Sequence, residues 1–263
     1  MEKEARDKAP HPVAAMLSRR GFDVLVSDPT QYLFFPPDLE RPFEDELYGM
    51  LKKYSFRLFV RDVIRNRRSF MAGDLLKYSS LEWVERYLKF LLERKVIEET
   101  GGGAYRLKAE AVFSFGDTLE WFVANVFERE FSSPALWGVR LKGGEAGGDY
   151  DVVASVEGRL VYVEVKSSPP KNIEEPEVAA FIRRVLELRP SLAIFLEDTR
   201  LRMKDKIMPF FEGLLKGRAV ERVEGETFTV EGRLFVTNSH PGLVNNLALC
   251  VREHLRPRAF WAD

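Results

Sequence analysis

Among its 263 residues the chain has one cysteine, Cys250, and three widely separated histidines, His11, His240 and His254. An internal disulfide framework and a cysteine-rich zinc site are thereby excluded. Gln31 is its only glutamine, and with 31% charged residues the composition matches a bias of thermophile proteins. No apolar run approaches the roughly 18 residues that cross a bilayer, and residues 1–8, Met-Glu-Lys-Glu-Ala-Arg-Asp-Lys, lack the apolar core of a signal peptide. These absences lead us to expect a cytoplasmic protein. A net charge of −1 argues against a uniformly basic nucleic-acid coat.

What is present is a hydrophobic content of 45%, enough for one large or two small domains. The charge is segregated: residues 51–110 hold 14 Lys/Arg against 8 Asp/Glu. Lys52, Lys53, Arg57, Arg61, Arg65, Arg67 and Arg68 are opposed there only by Asp62. Such a run is either a solvated helix face or a phosphate-contacting surface.

Residues 1–42 offer a helix over 12–20, a short apolar run over 22–26 and a Pro-rich stretch, and no role is assigned to them. Apolar periodicity then predicts helices over 43–53 and 56–66, a short helix over 72–78 and a helix over 80–94 capped by Ser79 or Ser80. Two short strands, 96–100 and 104–107, flank Gly101-Gly102-Gly103. Helices followed by a β-hairpin resemble a winged helix-turn-helix, and we place such a mainly α domain at 43–110. The resemblance implies a recognition helix at 80–94 and DNA contact through Arg86 and Lys89, with Arg65, Arg67 and Arg68 as further DNA-binding candidates. Glu82, Glu85 and Glu93 leave that helix only weakly basic.

The remaining residues, 111–263, predict a helix over 117–130, a strand over 136–141, a Gly-rich loop, strands over 150–156 and 159–166, a helix over 177–188 and a strand over 192–196. A helix over 200–216, strands over 227–230 and 233–236, and a helix over 243–255 follow. A turn at Glu157-Gly158 pairs Val156 with Arg159, and counting back sets Asp151 opposite Glu164. Facing carboxylates repel, so a cation is expected between them. Period two puts Glu164 and Lys166 on one face and Val161, Val163 and Val165 on the other. An Asp/Glu pair beside a lysine suits a divalent metal and a hydrolytic water. Asp149, two residues before Asp151 on the same face, is the alternative carboxylate.

This αβββαβ order, with Asp-Val-Val-Ala at 151–154 and Val-Glu-Val-Lys at 163–166, resembles the PD-(D/E)xK, or restriction endonuclease-like, nucleases, including resolvase-like and Mrr-like members. It covers about residues 116–198 and implies an α/β core with a mixed sheet flanked by helices. It further implies that Asp151 and Glu164 bind Mg2+ or Mn2+ with the Val165 carbonyl, that Lys166 orients or deprotonates the attacking water, and that Glu120 is a fourth member. The expected activity is metal-dependent hydrolysis of DNA phosphodiesters, positioned by the winged helix, with a homodimer favoured for cuts in both strands. Two alternatives stay open: an inactive DNA-binding or regulatory protein on the same scaffold, and a subunit of a larger DNA-processing complex. The chain has no phosphate-binding Gly-x-x-x-x-Gly-Lys-Ser/Thr loop, so an ATP-driven step would need an ATPase partner.

Overall fold

The computed structural model describes residues 10–256. In chain order, α1 (Pro12–Ser18) and β1 (Asp23–Val26) precede α2 (Arg41–Leu51), α3 (Tyr54–Arg65), β2 (Phe70–Met71), α4 (Leu81–Glu93), β3 (Ile97–Gly101) and β4 (Ala104–Leu107). Then come α5 (Gly116–Glu130), β5 (Ala135–Lys142), β6 (Tyr150–Val156), β7 (Arg159–Lys166), α6 (Glu175–Leu188) and β8 (Leu192–Glu197). The chain continues through α7 (Ile207–Leu214), β9 (Glu221–Glu224), β10 (Thr227–Val230), β11 (Leu234–Asn238) and α8 (Leu243–Leu255).

Eight strands form one mixed sheet in the order β1-β5-β6-β7-β8-β11-β10-β9. Strand β8 runs parallel to both β7 and β11, and the other neighbours are antiparallel. Alternation along the strands explains why both faces are covered. Val161, Val163 and Val165 enter one core with Phe122 and Val126 of α5 and Leu247 of α8. Tyr162 and Phe195 enter the other core with Phe181 of α6, Phe211 of α7 and Val13 and Leu17 of α1. The β6–β7 hairpin has the expected register, Val156 on Arg159 and Val152 on Val163. Its turn residues Glu157 and Gly158 both have positive φ, 48° and 70°, as a two-residue turn matched to strand twist requires.

The N-terminal segment belongs to this sheet. Strand β1 pairs antiparallel with β5, and Leu33, Phe34 and Phe35 of the following Pro-rich stretch are buried, with the Phe35 ring set edge-on to Trp121 at 4.9 Å. The sheet is therefore assembled from both ends of the chain, around residues 41–107. Those residues supply α2, α3 and α4 with a small sheet of order β2-β4-β3.

Two helices differ from expectation. Residues 72–78 hold only a 3-10 turn, Ala72–Leu75. The helix expected over 200–216 shrinks to α7, because the backbone donors before it are taken by side chains: Leu201 N–H by Thr199 Oγ1, Met203 N–H by Glu226. Pro209 then falls in the first turn of α7, where its missing N–H costs nothing.

A buried ionic knot ties α3 to the sheet. Just past β8, Asp198 has no exposed side-chain surface and receives Arg57 at 2.7 Å and Arg61 at 2.6 Å, with Ser239 as a further donor. Burial alone would raise this carboxyl, but the two guanidiniums and the hydrogen bonds outweigh it and hold the group below the usual carboxylate range.

Candidate functional site

The β6–β7 register carries Asp151 to the position opposite Glu164, at the open end of the hairpin. There the Val165 N–H donates to Asp151 Oδ2 at 2.7 Å. Glu164 is 2% exposed, and both its oxygens are engaged. Lys166 Nζ lies 2.8 Å from Oε1, Arg184 Nη1 lies 2.8 Å from Oε2, and the Tyr162 hydroxyl also donates to Oε2. Lys166 reaches a second carboxylate, Glu177 of α6, at 3.8 Å. The cations that relieve the facing carboxylates are thus two of the protein's own side chains.

The charges perturb one another in a consistent direction. Burial first, then Glu164, raises the Asp151 carboxyl well above its ordinary value, although the Val165 N–H opposes this. Glu120 of α5 is raised to about 9, by burial and then by Asp151, Asp117 and Glu164. Burial would lower Lys166, but Glu164, Asp151 and Glu177 win, and its ammonium is held above its ordinary value. Several strongly shifted groups in one cluster mark a candidate functional site.

Backbone shape keeps space beside Glu120. Gly138 interrupts the β5 ladder between Trp137 and Val139, with φ of 55°. A Cβ there would lie 2.7 Å from Pro29 Cδ and 3.7 Å from Glu120 Oε2. The loop carrying Pro29 is fastened over this point, since Asp28 N–H donates to the Trp137 carbonyl at 2.8 Å and Asp28 Oδ1 accepts from Trp137 N–H at 3.2 Å.

Asp151, Glu164, Lys166 and Glu120 therefore fall into one electrostatic cluster. Asp149 lies just before β6, half-buried and paired with Arg140 at 2.9 and 3.1 Å, and its charge adds to the rise of the Glu120 carboxyl. The DNA-binding candidates fall in three places. Arg65 is exposed on α3, and among the described residues its one ionic partner is Asp62, at 3.8 Å. Arg67 and Arg68 line a separate groove with Arg106 and Lys108, where Arg67 covers the exposed Phe113 ring at 4.6 Å. On α4, Arg86 covers Trp83 at 4.8 Å and Lys89 faces Glu93 at 3.9 Å.

Arg184 and Tyr162 are the members that sequence reasoning missed. Period two on β7 already puts Tyr162 on the Glu164 face. Glu177 and Arg184, seven residues apart on α6, share one helix face, which is the only trace that Arg184 leaves in the sequence.

In kind, the donors suit a hard divalent cation: carboxylates of Asp151, Glu164 and Glu120 and the Val165 carbonyl are oxygen ligands. Their mutual repulsion, visible in the raised Asp151 and Glu120 carboxyls, is what such a cation relieves. They do not form a finished cage, for no three His, Cys, Asp or Glu side chains among the described residues converge in metal-holding geometry.

Against known proteins, no family model matches the chain and no curated protein does. Can2 from Sulfobacillus thermosulfidooxidans, solved in complex with cyclic tetra-adenylate, superposes with a TM-score of 0.51 at 14% identity, over 91% of this chain and 60% of Can2. The likeness is one of fold. VC1899 from Vibrio cholerae gives a TM-score of 0.49 at 14% identity, over 76% of this chain and 56% of that one. The chain thus spans less than two thirds of the length of either. A shared fold carries no activity by itself, so the chemistry has to be argued from the cluster.

Proposed function

We propose that the chain is a metal-dependent nuclease that hydrolyses DNA phosphodiester bonds, with the sheet unit as a restriction endonuclease-like core and residues 43–110 as a winged helix that positions the DNA. The observation that carries this reading is the fully enclosed Glu164, held with Asp151 and Lys166 at the ends of adjacent strands. An inert sheet has no physical need for facing carboxylates at a place where apolar side chains would pack without desolvation cost.

Asp151 and Glu164, with the Val165 carbonyl, would hold Mg2+ or Mn2+, with Glu120 as the further carboxylate that would have to close on the ion; when bound, the ion would polarise the phosphodiester and lower the pKa of a water. The chain's own groups do the rest. Lys166, whose Nζ lies 2.8 Å from Glu164 Oε1, would orient or deprotonate the attacking water and stabilise charge on a phosphate oxygen. Arg184 and Tyr162 fix the Glu164 carboxylate from the α6 side. Pro29 and the Asp28 loop wall off the Glu120 side.

One observation favours a second reading, an inactive DNA-binding or regulatory protein on this scaffold: both Glu164 oxygens already have partners. Calorimetric titration with Mn2+ separates the two. The nuclease reading expects a site that weakens at least tenfold in Asp151→Asn. An absence of binding, with or without DNA, leaves the inactive scaffold.

A further inference from the structure

Beyond the carboxylate cluster, the junction between α3 and the sheet holds a groove of about 580 Å³. Its floor is the end of β7 and β8: Ser167, next after Lys166, lines it together with Asp198, whose N–H donates to the Lys166 carbonyl at 2.8 Å. Four chain segments put cations on it: Arg65 of α3, Lys77, Lys171 and Arg200. All four are exposed. Lys77, Lys171 and Arg200 take part in no ion pair among the described residues, and Arg65 has only the 3.8 Å approach of Asp62. Asp198, the other acid of the groove, is neutralised by Arg57 and Arg61, so the lining is positive on balance.

The groove also carries aromatic rings beside its cations. Arg200 lies over Tyr54 at 5.0 Å, and Lys77 over Tyr78 at 5.0 Å, with Tyr78 46% exposed. Paired cations and rings along a positive groove suit a sugar-phosphate chain with unstacked bases. A cavity of this volume takes groups of nucleotide size and is too small to admit a duplex. Cations spread over separate segments fit successive phosphates better than one compact anion.

We propose that this groove binds a single strand of nucleic acid, with Arg65, Lys77, Lys171 and Arg200 on its phosphates and Tyr54 and Tyr78 against its bases, and leads it to the Lys166 end of β7. Only the last step rests on the nuclease reading; strand binding stands without it.

The test is fluorescence anisotropy on the full-length protein in EDTA, with a labelled dodecamer as a single strand and as a duplex, at low and at physiological salt. The single strand is expected to bind at least tenfold more tightly. The triple variant Lys77→Ala/Lys171→Ala/Arg200→Ala should lose at least tenfold in affinity and about 2 units of log–log salt slope, at roughly 0.7 per single-strand phosphate contact. Tyr78→Leu should weaken binding while leaving the slope unchanged. Removing Arg159 and Arg233, at the opposite strand ends, should change neither. Duplex binding equal to or tighter than single-strand binding overturns the proposal, as does a triple variant that binds like the Arg159/Arg233 control. A strand that is bound through these residues yet never cut with Mg2+ or Mn2+ removes the nuclease reading and leaves the groove. Cutting that persists with groove variants of unchanged affinity does the reverse.

Discussion

Replacing Asp198 by alanine strands two guanidiniums at the junction between α3 and the sheet. Arg57, 1% exposed, gives Asp198 three contacts of 2.7 to 3.0 Å, and Arg61 Nη2 adds one of 2.6 Å. Arg57 would keep only Nη1 donations to the Leu51 and Lys52 carbonyls, at 2.6 and 3.2 Å. Removing one partner of a buried pair in this way costs about 3–5 kcal/mol. For a chain of this size that corresponds to a fall in Tm of roughly 10 °C. Urea unfolding followed by both circular dichroism and tryptophan fluorescence gives the loss, and coincidence of the two curves checks that one transition is being measured. Arg57→Met/Asp198→Leu, which removes the fully buried pair and leaves only the partly exposed Arg61 without its carboxylate, should recover part of it. The native carboxyl lies below its ordinary value, so the stabilisation is complete above the unfolded pKa and disappears as pH falls through the lower folded one. The gap between wild type and Asp198→Ala should accordingly be full at neutral pH and shrink below about pH 4. A loss under about 1 kcal/mol at neutral pH would refute the view that this knot joins the two parts.

Glu197 sits on β8 with no exposed surface and, among the described residues, no partner for either carboxyl oxygen, and burial, then Asp198, raises it to about 8. The folded state then holds a proton that the unfolded state releases, so stability falls from the ordinary carboxyl pKa up to about pH 8. Glu197→Gln should flatten that decline, raising stability at alkaline pH by at most about 5 kcal/mol and Tm with it; parallel pH profiles of Tm would contradict it. Gly138→Ala puts a Cβ against Pro29 at a positive φ and should cost about 1–3 kcal/mol. It should also raise protease cutting near residue 29, and an unchanged digest would sink the close-approach argument. Arg184→Met should leave the fold in place but weaken whatever Glu164 does, with Arg184→Lys restoring part of it, as seen in metal affinity or cleavage rate; equal behaviour of both variants would deny Arg184 its hold on Glu164.

The hairpin that carries the site was legible because Glu157-Gly158 fixes the register and each further residue alternates faces, so Asp151 had to meet Glu164. The helices 54–65 and 116–130 were legible from their apolar stripes. Other parts depend on contacts distant in sequence. Strand β1 is a short, largely exposed edge strand whose only reason to be extended is its pairing with β5. The helix expected at 200–216 fails because Glu226, some twenty residues later, takes its backbone donors. Arg184 reads locally as one more charge on an amphipathic helix. Asp149 shares the period of Asp151, but what the sequence does not show is its pairing with Arg140 across the strand pair. Pairing of that kind is decided by tertiary position, not by spacing.

The central claim is tested most directly by incubating labelled DNA, single-stranded and duplex, with wild-type protein, Glu164→Gln and Lys166→Met, with Mg2+ or Mn2+ and with EDTA. The account predicts metal-dependent cutting by the wild type and its loss, by at least a hundredfold, in both variants with unchanged circular dichroism and unchanged DNA affinity. Cutting by either variant at the wild-type rate, or no cutting by the wild type with either metal, would contradict it.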